Sequence, residues 1–250
     1  MSSQKPKQFV NLLFKFAEKY NIDKSSCLEV GCGNGNVTYL LNNENINTIG
    51  IDVEFKDGPF LEKLLKEKKL KKIKTPNSNR DSVVNDQNFY SWPCEDDSIT
   101  FSFSSSVLEH VINIKQFASE NFRILKKGSY TIHYLPSKYA ILEPHVGIPF
   151  GGLFVNYSYF IFMCKLGLCF KKYRNEGREA YIYMKKYTNY FSKKKLKEFF
   201  IESGFKYLGE FSKFIPFFLG PKYAKWISFF PFLIYLFSIF RSHIIIFKKY

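Results

Sequence analysis

The chain has 250 residues, 46% of them hydrophobic and 24% charged. That balance excludes wholesale disorder and collagen-like or coiled-coil architecture, and the length favours one large α/β domain. The formal net charge is +15, but 32 of the 37 basic residues are Lys and only 5 are Arg; the planar Arg fork suits phosphate and guanine, so nucleic acid is not expected as a partner, and the charge reads first as solvation and second as affinity for an anionic membrane surface.

Phe9, Leu12, Leu13, Phe16 and Ala17 recur at helical spacing and predict an amphipathic helix ending near Asn21. Lys15, Glu18 and Lys19 interrupt this segment, so it lacks the apolar core of a secretory signal. The five cysteines, Cys27, Cys32, Cys94, Cys164 and Cys169, form no C-x-x-C pair and lack the histidine spacing of a zinc site. Reduced thiols, a cytoplasmic setting with peripheral membrane contact, and no metal are therefore expected.

Residues 26–30 are a short apolar run leading into Gly31-Cys32-Gly33-Asn34-Gly35, after which Val37, Leu40 and Leu41 resume helical spacing. This is strand, glycine turn, helix. Residues 47–52 read as a second buried strand ending on Asp52, so the opening is βαβ and predicts a parallel sheet. Residues 59–74, with Leu61, Leu64, Leu65 and several lysines, predict a crossover helix followed by a polar loop. Third, fourth and fifth strands are expected at 82–84, 99–103 and 130–135, with a helix over 114–125. Strands alternating with helices predict a Rossmann-like, doubly wound sheet.

Past Pro136 the composition turns aromatic and aliphatic. Residues 146–164 and 226–240 carry no charge, but Pro149, Gly151, Gly152, Asn156 and Pro231 interrupt them, so neither is expected to span a membrane. Two readings stand side by side: interfacial helices, with Lys165, Lys171, Lys172, Lys222, Lys225 and Arg241 toward an anionic surface, or an apolar lid over the sheet edge. A capped helix over 192–203 and strands at 206–211 and 242–248 predict a closing antiparallel edge pair.

Glycines at 31, 33 and 35 let the backbone turn tightly and let a ligand approach without obstruction by a Cβ. Glu29 stands just before them, and Asp52 ends the next strand where a carboxylate can bond ribose hydroxyls. A dinucleotide fingerprint would need glycine at 36, which is Asn36, so an NAD(P)-dependent oxidoreductase is the lesser reading.

Leu28-Glu-Val-Gly-Cys-Gly-Asn-Gly35, Gly50-Ile-Asp52, Trp92-Pro93, the run from Asp97 to Val111 with Glu109-His110, Phe122-Arg-Ile-Leu-Lys-Lys-Gly128 and Leu135-Pro-Ser137 follow in an order that resembles class I S-adenosylmethionine-dependent methyltransferases, of the methyltransferase type 11 kind. The resemblance implies a seven-stranded sheet with an antiparallel last strand, and the two apolar segments, which lie outside the likeness, read as helical insertions in it. It implies S-adenosylmethionine across the carboxyl ends of the first, second and fourth strands, with Glu29, Gly31, Gly33 and Gly35 along its methionine and ribose portion. Asp52 would hold the ribose, and Ser104 and Ser105 would border the methionine. Asn88 stands where the family has its adenine-binding acid, with Phe89 beside it to stack and Asp86 as a rival.

Methyl transfer needs alignment and exclusion of water, and a base only where the acceptor must lose a proton. Glu143, His145 and His110 are the candidates for acceptor contact, against the plainer reading that they hold loops together. The expected organisation is one domain, 1–250: a cofactor core at 22–137, an apolar substrate cap at 138–191, and a C-terminal helix and edge strands at 192–250 with an apolar insertion at 212–241. The expected acceptor is small or lipid-linked. A catalytically silent, membrane-associated binding protein on the same fold is the alternative.

Overall fold

The computed structural model describes residues 4–74, 90–111, 113–210 and 230–250. In chain order these form α1 (Gln4–Tyr20), β1 (Cys27–Val30), α2 (Asn36–Asn43), β2 (Thr48–Asp52), α3 (Leu61–Lys66), β3 (Leu70–Lys72), β4 (Ile99–Ser105), α4 (Ile114–Ile124), β5 (Leu125–Pro136), α5 (Tyr157–Lys165), α6 (Gly177–Tyr187), α7 (Lys193–Glu202), β6 (Phe205–Glu210), α8 (Pro231–Phe240) and β7 (Ser242–Lys249). The strands make one seven-stranded sheet in the order β3-β2-β1-β4-β5-β7-β6. β1, β2, β3, β4 and β5 pair in parallel, and β7 runs antiparallel to both β5 and β6. This is the doubly wound α/β sheet that the alternating elements predict.

The pleat sorts side chains to two buried faces. In β4, Phe101 and Phe103 face α1, where they pack with Phe9, Phe16, Ile132, Ile244 and Ile246. Ile245 and Phe247 of β7 point the other way, into a cluster with Phe117 of α4 and Phe199 and Phe200 of α7. The serines of β4 share this second face in a buried polar chain: Ser102 Oγ donates to Asn121 Oδ1 at 2.7 Å, Asn121 Nδ2 donates to Thr131 Oγ1 at 3.0 Å, and His133 meets Thr131 Oγ1 at 3.0 Å and Ser104 Oγ at 2.8 Å. Burial pushes the His133 imidazole down to about 3, so it stays neutral there.

Two expectations need correction. The third strand is Leu70–Lys72, paired with Gly50–Asp52, and the helix before it covers only Leu61–Lys66. Lys68, in the left-handed region at φ 55°, ends the helix. One buried Leu70 between lysines has no alternation for a sequence reading to find, so the strand owes its place to the β2 ladder. The expected strand at 82–84 lies outside the described residues. The closing strands form the expected antiparallel pair, with β7 beside β5 and β6 outermost on that side of the sheet.

Residues after β5 form a cap with a small core of its own, in which Val146, Ile148, Phe160, Cys164, Tyr173, Ala180 and Met184 are buried together. α5 and α6 carry most of it. The cap's first loop leans on the end of α8: Ile141 N donates to Phe240 O at 3.0 Å, and Ser137 Oγ donates to Ile239 O. No helix among the described residues is long and apolar enough to cross a membrane.

Candidate active site

β1, β2 and β4 end on the same side of the sheet, as parallel strands must, and a cleft opens over those ends. It encloses about 1040 Å³ counting its open mouth. Gly31 and Gly33 after β1, Asp52 and Val53 at the end of β2, and Ser106 and Val107 after β4 line one wall. Ile73, Tyr90, Trp92 and Phe117 supply an apolar side, and His110, Lys186 and Tyr187 close the end toward the cap.

The glycine turn is held by its backbone, since Gly31 N donates to Ile51 O at 2.8 Å and Gly35 N to Cys32 O at 2.8 Å. Gly31 and Gly33 take positive φ of 72° and 55°. A Cβ at Gly33 would meet only Lys56 Cδ, at 3.9 Å, so the bare backbone there is open to a ligand. Asp52 Oδ2 accepts from Gly33 N at 2.7 Å, which ties the acid at the tip of β2 to the turn after β1. Burial raises the Asp52 carboxyl against the lowering pull of the Gly33, Glu54 and Val53 amides and of Lys56. A half-buried carboxylate beside an open glycine backbone matches the hydroxyls and flat body of a nucleoside.

Glu29 is elsewhere: it is buried behind the turn, where its Oε2 accepts from Thr38 N at 2.8 Å and Thr38 Oγ1 at 2.6 Å. It tethers the first turn of α2, and burial pushes its carboxyl up to about 8. Gly35 caps α2 in the left-handed region, with no room for a Cβ, which would come 2.6 Å from Leu64 Cδ1. Ser104 belongs to the buried chain beside His133 and Ser105 ends β4, while the next residue, Ser106 at φ 56°, is the serine on the cleft wall. Asn88, Phe89 and the rival Asp86 lie outside the described residues.

The three candidates for acceptor contact come together. Glu143 is buried, and its Oε1 accepts from Tyr190 Oη at 2.7 Å and lies 2.6 Å from His145 Nδ1, while its Oε2 accepts from the amides of His145 and Val146, both at 2.7 Å. Burial opposes ionisation, but these bonds and the charge of His145 hold the carboxyl below its usual range. His145 Nε2 lies 3.2 Å from His110 Nε2, and His110 Nδ1 lies 2.6 Å from the carbonyl of Tyr187. Glu109, fully buried beside them, has its carboxyl raised to about 8 by burial, with the charge of Glu143 adding to the rise.

Several residues on the wall escaped the sequence reading. Trp92 is set by Arg123, whose guanidinium donates to the carbonyls of Trp92 at 3.2 Å and Cys94 at 3.0 Å while pairing with Glu120 and Asp96, and Tyr90 is set by Gln116 Nε2, which donates to its carbonyl at 2.9 Å. Lys186 and Tyr187 arrive from α6, far along the chain, and carry no local signal. The Arg123 link was open to inspection, since one of only five Arg in a Lys-rich chain marks a place where a planar fork is needed.

Residues 28–133 match the family model described as a methyltransferase domain. Among solved structures, a geranyl diphosphate C-methyltransferase from Streptomyces coelicolor A3(2), crystallised with Mg2+, geranyl-S-thiolodiphosphate and S-adenosyl-L-homocysteine, is 11% identical with a TM-score of 0.53, over 96% of this chain and 76% of that one. A SAM-dependent methyltransferase from Archaeoglobus fulgidus is 16% identical with a TM-score of 0.51, over 98% of this chain and 95% of that one. The [4+2]-cyclase SpnF is 13% identical with a TM-score of 0.51, over 96% of this chain and 80% of that one. No curated protein sequence matches the chain. A methyltransferase domain thus spans residues 28–133, set in the seven-stranded order β3-β2-β1-β4-β5-β7-β6.

Proposed function

We propose that the protein transfers a methyl group from S-adenosylmethionine to a small, lipid-like acceptor that it meets at an anionic membrane surface. The observation that carries this reading is the cleft itself, which joins Asp52 and the open glycine backbone at one end to the cap residues Lys186 and Tyr187 at the other. Asp52 would accept from the ribose hydroxyls, Gly31 and Gly33 would pass under the amino-acid portion, and Val53, Ile73 and Tyr90 would flank the adenine. When bound, S-adenosylmethionine supplies an electrophilic methyl on a sulfonium. The chain's own part is to orient the acceptor in line with that methyl and keep water out, with Tyr187 and the cap as the cover.

The lipid-like acceptor rests on the cap's outer surface. Phe154, Phe162, Leu166 and Leu168 are exposed there, Phe162 at 54% and Leu166 at 56%, with Lys165, Lys171 and Lys172 alongside. Exposed apolar groups rimmed by lysines suit an anionic lipid surface. Sedimentation with vesicles containing anionic lipid tests this, together with methyl transfer from labelled cofactor into a lipid extract. Wild type is expected to pellet with the vesicles and to label the lipid fraction, whereas a Phe162→Ser, Leu166→Ser variant stays in the supernatant. Recovery of wild type wholly in the supernatant, with label only in water-soluble products, would refute it.

A further inference from the structure

The meeting of His110 and His145 is chemically odd. A carbonyl can only accept, so the His110 nitrogen facing Tyr187 O carries the hydrogen and Nε2 presents a lone pair. Glu143, an ionised acceptor with donors on both oxygens, takes the Nδ1 hydrogen of His145 and leaves Nε2 to meet the other ring. Two imidazole nitrogens thus face each other at 3.2 Å, and two neutral rings would set two lone pairs together there. Beside them Glu109 is 1% exposed, and neither of its carboxylate oxygens has a hydrogen-bond partner among the described residues. Its Oε1 stands 4.0 Å from His110 Nε2, and one ligand atom from each of the three residues falls within 4.8 Å of the others. A bound cation would engage both nitrogens and the unpartnered Glu109 carboxylate at once.

We propose that His110 Nε2, His145 Nε2 and the Glu109 carboxylate bind one divalent transition-metal ion at the cap end of the cleft. Nitrogens about 2.05 Å from a tetrahedral zinc stand about 3.3 Å apart, close to the observed spacing, and a turn of the Glu109 carboxyl closes the rest. Two imidazoles and one carboxylate favour zinc, cobalt, manganese or iron over calcium or magnesium. The outer contacts are those of a metal site: one imidazole held by a carboxylate, the other by a backbone carbonyl. Sequence spacing gave no hint, since the expectation of no metal came from the cysteines while these ligands come from the turn after β4 and the cap loop. His110 lines the cleft, so the remaining coordination positions face the acceptor. Resting on the methyl-transfer reading, the ion would hold an oxygen donor of that acceptor.

The test uses the full chain, stripped with a chelator and titrated with Co2+, followed by visible absorption and by thermal midpoint. The same stripped protein is titrated calorimetrically with S-adenosylhomocysteine. One equivalent of Co2+ is expected to give d–d bands and raise the midpoint, and Zn2+ to displace it. Glu109→Gln and His145→Ala, each checked for native circular dichroism, should weaken Co2+ by about 10-fold or more. Absence of bands and of any midpoint shift in wild type that binds S-adenosylhomocysteine overturns the proposal and leaves the imidazoles sharing a proton. Bands without S-adenosylhomocysteine binding uphold the metal site and overturn the methyl-donor reading instead.

Discussion

Replacing Gly31 by Ala puts the glycine turn to a quantitative test. At φ 72° an Ala residue adopts the left-handed region at about 1–2 kcal/mol. Its Cβ would also stand 2.3 Å from Val107 Cγ2 and 2.9 Å from Cγ1, distances that force a shift worth about 1–3 kcal/mol. Gly31→Ala should therefore cost about 2–5 kcal/mol in urea unfolding. Val107→Ala removes both offending methyls and leaves only Cβ at 3.2 Å. In the double variant the steric part should vanish and the backbone part persist, giving a coupling of about 1–3 kcal/mol. A cost for Gly31→Ala under about 1 kcal/mol, or a coupling near zero, would refute the close approach of the two loops.

Three further outcomes follow from named contacts. Burial raises Glu29 from 4.5 to about 8, so the folded state keeps a proton that the unfolded chain gives up. This stabilisation is full below about pH 4.5 and is lost as pH rises through about 8, a loss of a few kcal/mol, so unfolding free energies for Glu29→Gln should be flatter than wild type across that window. Glu109 titrates in the same range, and the difference between the two proteins isolates Glu29; parallel curves would contradict its buried state. Arg123→Ala should cost about 1–3 kcal/mol and weaken cofactor binding by loosening the strand entry that carries Tyr90 and Trp92, and Arg123→Lys should not restore it; full rescue by Lys would show that charge alone suffices. Gly50→Ala should unfold the chain at lower urea, because the added Cβ would sit 2.7 Å from Thr38 Oγ1 and 2.8 Å from both Cys32 Cβ and Leu70 Cδ2; an unchanged midpoint would count against this packing.

The sequence made some of this legible and hid the rest for physical reasons. Buried runs such as 27–30 and the Phe-Ser alternation of β4 announce themselves, because burial on one or both faces imposes a pattern. β3 does not, since one buried leucine among lysines leaves no period to read. Asp52 and the glycines were readable because backbone geometry constrains residue type at a turn. Glu29 was read as cofactor-lining, yet the same carboxylate holds α2 through Thr38, and a sequence cannot tell on which side of a turn a side chain lies. The joining of His110 to His145 depends on how the cap folds back, which local spacing does not encode.

Calorimetric titration with S-adenosylhomocysteine, run on wild type and on Asp52→Ala, addresses the central claim most directly. The account predicts one site per chain, no competition from NADH, and a loss of about 10-fold to 100-fold in affinity for the variant, the effect of removing a charged acceptor from two hydroxyls. A folded wild type that ignores S-adenosylhomocysteine, or a variant that binds it as tightly as wild type, would contradict it.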